Sequence, residues 1–276
     1  SLPGWQFPGL ATRAEIPAAR LANRVGLLRA LDGSLARLGD AQALQQMDSL
    51  HRRAIGMLTS PEARQAFDLS REPMSVRERY GVDRGSNRAL EARQFGGLPH
   101  FGQSALLARR LLEADVRLVT LCSGRRVDQA WDTHRQHYPL LKRSLLPPFD
   151  QGLSALMEDL AVRGLLDDTL VVAMGEFGRT PRLGYVTSNA GAARDGRDHW
   201  PYCYTVLFAG AGVPAGAIVG ASDRIGGRPA RDPFTPYDVA ATIYRIMGIP
   251  PGTEIHDVQN RPHALVQGNG RPIFGT

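Results

Sequence analysis

The sequence predicts an α/β fold, with parallel strands and one antiparallel return strand flanked by helices and preceded by a helical N-terminal region. Three observations carry this. Residues 103–174 read as helix, strand, helix, strand in turn. A further apolar run, Tyr204-Thr205-Val206-Leu207-Phe208-Ala209, follows with no crossover helix before it and so most simply returns antiparallel. The first hundred residues hold apolar positions at helical spacing and no obvious strand. One domain overall is expected, with residues 1–100 a helical region and loop and residues 101–276 the α/β core.

The elements follow from local chemistry. Leu21, Val25, Leu28, Leu31 and Leu35 give a helix over residues 17–37, and Leu44, Met47, Leu50 and Ile55 one over 40–58. Ser60-Pro61-Glu62 supplies an N-cap, a first-turn proline and an acidic first turn for a helix reaching Leu69. Residues 81–102, rich in glycine, read as a loop: a surface excursion or a functional flap. Leu106, Leu107, Leu111 and Leu112 mark an amphipathic helix over 103–114, and Val116-Arg117-Leu118-Val119-Thr120-Leu121-Cys122 a strand. After a polar loop, Leu145, Phe149, Leu153, Leu156 and Leu160 stripe a long helix over 139–163 that Gly164 closes. Leu170-Val171-Val172-Ala173-Met174 is the next strand.

Such strand–helix–strand crossovers are almost always right-handed, with parallel strands. The loop at 123–137 and Glu176 therefore leave the same sheet edge, the carboxyl edge where ligands bind in open α/β sheets. The return strand places Asp198-His199-Trp200-Pro201 there as well. Beyond it come a short strand at Ile218-Val219, a helix opened by Thr235-Pro236 and ended by Gly248, and an irregular tail.

Composition excludes some functions. Hydrophobic residues at 43% and charged residues at 22% are ordinary for a globular chain of 276 residues. No apolar run reaches the ~18 residues of a membrane span. The net charge of +6 comes from arginine, since Lys142 is the only lysine. Those arginines are scattered beside Asp and Glu rather than gathered in one arm, so no nucleic-acid partner is expected. Cys122 and Cys203 lie in or beside apolar runs and are expected as buried free thiols.

Three polar clusters converge on the predicted edge. They are Asp128, Asp132, His134 and His137 from the first loop, Glu176 from the second strand end, and Asp195, Asp198 and His199 from the return loop. Carboxylates and imidazoles from separate loops suit a divalent metal such as Zn²⁺ or Mn²⁺, which accept mixed oxygen and nitrogen ligands. Arg179 lies close behind Glu176, where its planar fork suits an anionic substrate oxygen. Each cluster alone also has a structural reading: Asp132 and His134 as turn residues, Glu176 paired with Arg179 or Arg182, His199 partly buried beside Trp200. The shared edge is what favours a site.

Trp131-Asp132-Thr133-His134, Met174-Gly175-Glu176-Phe177-Gly178-Arg179-Thr180-Pro181 and Gly196-Arg197-Asp198-His199-Trp200-Pro201 resemble the bacterial family called domain of unknown function 1501. The similarity extends to Ala66-Phe67-Asp68-Leu69-Ser70-Arg71-Glu72-Pro73, Thr235-Pro236-Tyr237-Asp238 and Asn260-Arg261-Pro262-His263, and so covers most of the chain. That family is similar to the alkaline phosphatase and sulfatase superfamily. The resemblance implies an alkaline phosphatase-like sheet and metal-dependent hydrolysis of a small anionic ester, a phosphate or a sulfate. It implies Asp132, His134, Glu176 and His199 as ligands of a divalent ion (Zn, Mn, Ca or Mg), beside which Arg179, by its position behind Glu176, is the expected catalytic residue. It also implies an exported, periplasmic protein.

Two departures stand out. Glu176-Phe177 stands where the superfamily commonly has Asp-His, which implies one metal rather than two, or a harder ion. Nothing before Val116 reads as a strand ending in Asp, so the superfamily's nucleophile section is expected to lie outside this chain or to have been lost. The alternative reading is a non-catalytic exported binding or structural protein that keeps the scaffold.

Overall fold

The computed structural model describes residues 20, 23, 24, 26, 27, 60–82, 100–122, 131–250 and 252–275. The helix expected over 17–37 is helical at its five described positions; the helix over 40–58 and most of the loop over 81–102 lie outside the described residues. The chain divides into two compact units that do not follow sequence order. One comprises residues 1–88, 96–123 and 148–156; the other comprises 89–95, 124–147 and 157–276.

The first unit is helical. Ser60 accepts from the Ala63 amide and so opens α1 (Pro61–Phe67), satisfying one of the donors a helix start leaves unpaired. A 3-10 turn (Leu69–Arg71) leads to α2 (Met74–Tyr80), and both helices pack on α3 (Phe101–Glu113). Ala105 and Leu106 of α3 are fully buried, with Ala66, Leu69 and Tyr80 around them in the core. Gln103 ties the layers together by donating to the Arg77 and Gly81 carbonyls, each at 2.9 Å. The buried Arg109 meets Glu72 at 2.9 Å and Glu113 at 2.5 Å. Burial alone would raise the Glu72 carboxyl, but hydrogen bonds from Arg109 and Arg110 hold it below its ordinary range. Residues 116–122 are irregular, with a bend at Arg117, and join no ladder among the described residues, and Leu118 is 73% exposed. The strand expected there is therefore not formed in that sense. Cys122 is accordingly exposed rather than buried, although both cysteines are free thiols.

The long helix expected over 139–163 forms and runs from His137 to Val162 with a π turn inside it. Four residues of α4 (His137–Leu140) pass through a π turn (Leu141–Leu145) into α5 (Leu146–Val162). Pro147 and Pro148 explain the π turn, because neither has an N–H and each ring crowds the carbonyl a turn earlier. The widened π turn makes room for them. Leu160 of α5 is fully buried, and the helix ends where the Leu165 amide reaches back to the Leu160 carbonyl.

The remaining strands make four two-stranded ladders, all antiparallel; no parallel pair occurs among the described residues. β1 (Val171–Ala173) pairs with β4 (Leu207–Ala209), and β2 (Gly178–Arg179) with β3 (His199–Trp200). The strand expected at Ile218-Val219 falls later, at β5 (Ala221–Ser222), where β6 (Pro229–Arg231) supplies the partner. Thr235 and Asp238 cap each other at the start of α6 (Pro236–Ile246). The tail is not wholly irregular, since β7 (Glu254–His256) and β8 (Pro262–Ala264) form a hairpin. Among the described residues no helix is long and apolar enough to cross a membrane.

Gly102 shows how closely the helical unit is packed. A Cβ there would stand 1.8 Å from the Tyr80 carbonyl oxygen, which is backbone and cannot swing aside. Gly102→Ala should lower the unfolding free energy by about 2–3 kcal/mol, the range of core overpacking. Chemical denaturation checks this, and an unchanged midpoint would contradict the packing described.

Candidate metal centre

Short ladders and a hydrogen-bonded loop assemble the site. In the β2–β3 pair Arg179 stands directly opposite His199, which brings the guanidinium and the imidazole together. The segment carrying Asp132 and His134 is laced to the 191–197 loop. Ala193 N–H donates to the His134 carbonyl at 2.8 Å, Arg197 N–H to Thr133 at 3.1 Å, and His137 N–H to Asp195 at 3.0 Å. Only glycine fits beneath this lacing, because a Cβ on Gly196 would meet the His134 carbonyl oxygen at 1.8 Å.

Asp198 stiffens the same loop. Its carboxylate is completely buried and accepts from the Thr187, Ser188 and His199 amides at 2.7, 2.8 and 2.8 Å and from the Ser188 hydroxyl at 2.6 Å. Burial would raise this carboxyl, but the four donors hold it well below the usual carboxylate range.

The functional groups meet at Asp132 Oδ1. It lies 2.9 Å from His134 Nε2, 3.1 Å from His199 Nε2 and 2.5 Å from an Arg179 guanidinium nitrogen. The two imidazole Nε2 atoms are themselves 3.1 Å apart. Burial would raise the Asp132 carboxyl, but hydrogen bonds from Arg179 and then His199 outweigh it and keep the group ionised below its ordinary value.

His134 Nδ1 contacts the Gly191 carbonyl oxygen, which can only accept, so Nδ1 carries the proton. Nε2 faces Asp132 Oδ1, which in the ionised carboxylate also only accepts, so the two atoms meet through a proton or through a cation held between them. A carboxylate oxygen and two imidazole nitrogens so arranged form a group that can hold a metal ion. The fit holds in detail. Ligands bound tetrahedrally at ~2.0–2.1 Å lie roughly 3.3 Å apart, close to the separations found here. A ligating histidine also characteristically donates its second ring N–H to a carbonyl, as His134 does.

Of the residues expected from the sequence, Asp132, His134, His199 and Arg179 come together. Glu176 does not join them. It is exposed beyond the end of β1 and has no hydrogen-bond or ion-pair partner among the described residues. Phe177 packs its ring 4.5 Å from that of His199.

Three contributors lie outside the ligand set that the resemblance implies. One is the Gly191 carbonyl, a backbone contact that no side-chain pattern reveals. Another is Asp198, visible in the Asp198-His199 run but without a sign of its role as an acceptor for the loop. The third is the buried pair of Thr133 and His137, whose Oγ1 and Nδ1 lie 2.6 Å apart behind the ligand-bearing face.

Over residues 3–276 the chain matches the family described as "Protein of unknown function (DUF1501)", and it belongs to that family. No curated protein matches the chain, and no solved structure does.

His137 gives the centre a pH signature. Burial first, then the Arg197 and Arg179 guanidinium groups, push its imidazole down from 6.5 to about 4. The folded value lies below the unfolded one, so its contribution to stability is complete above about pH 6.5 and is lost as the pH falls toward about 4. Urea unfolding should show about 2–3 kcal/mol of stability disappearing across that window. His137→Gln keeps a hydrogen-bonding group beside Thr133 and should flatten this part of the profile. An equal slope in the variant would contradict the assignment.

Proposed function

We propose that this chain is a metal-dependent hydrolase of a phosphate or sulfate ester, built on an alkaline phosphatase-like scaffold. One observation carries the reading: Asp132 Oδ1, His134 Nε2 and His199 Nε2 converge to within 3.1 Å of one another, with Arg179 against the same carboxylate. Asp132, His134 and His199 would hold the ion. Two imidazoles and one carboxylate suit Zn²⁺ or Mn²⁺ better than Ca²⁺ or Mg²⁺, which prefer all-oxygen sites. A divalent ion supplies Lewis acidity toward an ester oxygen and toward an attacking group.

The chain's own residues do the rest. Arg179 orients Asp132 through one nitrogen, contacts the Arg197 carbonyl at 3.4 Å through another, and offers its remaining donors to an anionic oxygen. By accepting from Nδ1, the Gly191 carbonyl would leave Nε2 as the nitrogen that binds the ion. Phe177 and His134 pack their rings on His199 at 4.5 and 4.8 Å and limit its rotation.

A second reading, a non-catalytic exported binding or structural protein that keeps the scaffold, also has an observation behind it. The hydroxyls of Thr133 and Thr180, both beside the centre in sequence, are buried and engaged, one with His137 and the other with the Arg182 carbonyl at 3.1 Å. Neither is free to attack a substrate. Ser123 lies outside the described residues.

Hydrolysis separates the two readings. Chelator-treated protein given Zn²⁺ or Mn²⁺ should bind one ion per chain by elemental analysis and should cleave an aryl phosphate or aryl sulfate. Asp132→Asn should reduce turnover by roughly 100-fold or more, the scale on which metal-site residues act. Stoichiometric metal without turnover would favour the non-catalytic reading, and no bound metal at all would remove the hydrolase.

A further inference from the structure

The strand that delivers His199 also delivers Trp200, and beside them lies a cavity of about 480 Å³. Tyr185, Trp200 and Tyr202 line it together with Ser188, His199 and Arg228. Trp200 sits edge-on to Tyr202 with ring centres 4.8 Å apart, and its centre is 5.9 Å from that of Tyr185. Tyr185 and Tyr202 are 41% and 49% exposed, so their rings are not used up in a core. Three aromatic side chains around one hollow are a costly surface to leave in water unless something covers them.

The wall is held in shape. Trp200 Nε1–H donates to the Gly227 carbonyl at 2.7 Å. Asp223 fixes the turn carrying that carbonyl by accepting from the Ile225, Gly227 and Arg228 amides at 3.1, 2.7 and 3.1 Å. Arg228 then lies over the Tyr202 ring, 4.2 Å from its centre, and has no carboxylate partner among the described residues. Across the hollow, Ser188 is held by its hydroxyl on the buried Asp198. Aromatic faces, an available guanidinium and one imidazole of the candidate metal centre thus border the same space.

We propose that this cavity seats the ring of a ring-bearing anionic ester, an aryl or a sugar phosphate or sulfate, with the ester group directed to His199. This deepens the hydrolase reading and rests on it for the nature of the ester group. A planar or pyranose ring can lie against Trp200 and Tyr202, and Arg228 can hold a polar substituent at its rim. A short alkyl ester carries the same charge but leaves the hollow unfilled, and so discriminates the two.

Binding tests this without turnover. Calorimetry on the full chain compares benzylphosphonate with propylphosphonate, whose P–C bonds resist hydrolysis, and glucose 6-phosphate with glycerol phosphate in the chelator-treated protein. At least one ring-bearing probe should bind about tenfold or more tighter than its ringless counterpart, and which pair shows it tells aryl from sugar. Trp200→Ala should bring that ratio below about threefold. Trp200 belongs to a ladder and its loss threatens folding, so Tyr202→Ala, at an exposed position, should lower the same ratio as an independent check. Ratios below tenfold in both pairs, or a ratio unaltered by Tyr202→Ala in protein with a native circular dichroism spectrum, would overturn the proposal. Failure of hydrolysis with the ring preference intact would count against the hydrolase reading alone.

Discussion

One carboxylate oxygen organises the candidate site. Asp132 Oδ1 faces the Arg179 guanidinium and two imidazole nitrogens at hydrogen-bonding distance. Without that negative charge, a fixed cation and two basic nitrogens would meet with only Asp198, 3.7 Å from His134 Nδ1, as a nearby carboxylate. The scaffold's irregular features serve this contact. The β2–β3 ladder sets Arg179 opposite His199, Gly196 lets two loops approach, and buried Asp198 gathers the amides that shape the return loop. The fold here spends polar burial on positioning, since a fully satisfied network fixes one geometry where apolar packing would tolerate several.

Much of this was legible in the sequence where local chemistry decides the outcome. Ser60 and Thr235 announce their helices because their side chains meet amides three residues on. Residues 204–209 read as an antiparallel return strand, and Leu207–Ala209 pairs antiparallel with Val171–Ala173. Elements that depend on a distant partner were not legible. Residues 116–122 have strand-like composition, yet composition cannot supply a neighbour to pair with. A two-residue strand such as Gly178–Arg179 carries no alternation to detect. The π turn had a visible cause in Pro147-Pro148, which a leucine stripe continuing across it obscured. The tail hairpin also left a trace, since Asn260 takes the left-handed conformation that asparagine tolerates at the turn.

The site divides in the same way. Asp132, His134, Arg179 and His199 stand in the polar clusters of the sequence and the resemblance implies the ligand set, while the β2–β3 ladder and laced loops, not a parallel sheet edge, bring them together. Glu176 belonged to that implied set, but β1 ends at Ala173 and leaves the carboxylate in solvent. What orients His134 toward the cluster is the contact of its Nδ1 with a carbonyl 57 residues away. Backbone acceptors of this kind leave no mark in side-chain patterns. The aromatic hollow was hidden for a similar reason: Tyr185, Trp200 and Tyr202 are ordinary residues until the loops bring them around one space.

The protonation state of His134 is therefore the point on which the account turns. Nitrogen-15 NMR of histidine-labelled protein, with His134 assigned through a substitution, reads directly which ring nitrogen bears the proton at pH 8. The account predicts an Nδ1–H ring whose Nε2 resonance moves on addition of one equivalent of Zn²⁺, together with that of His199 Nε2. An Nε2–H ring at His134, with neither resonance responding to the metal, would contradict it.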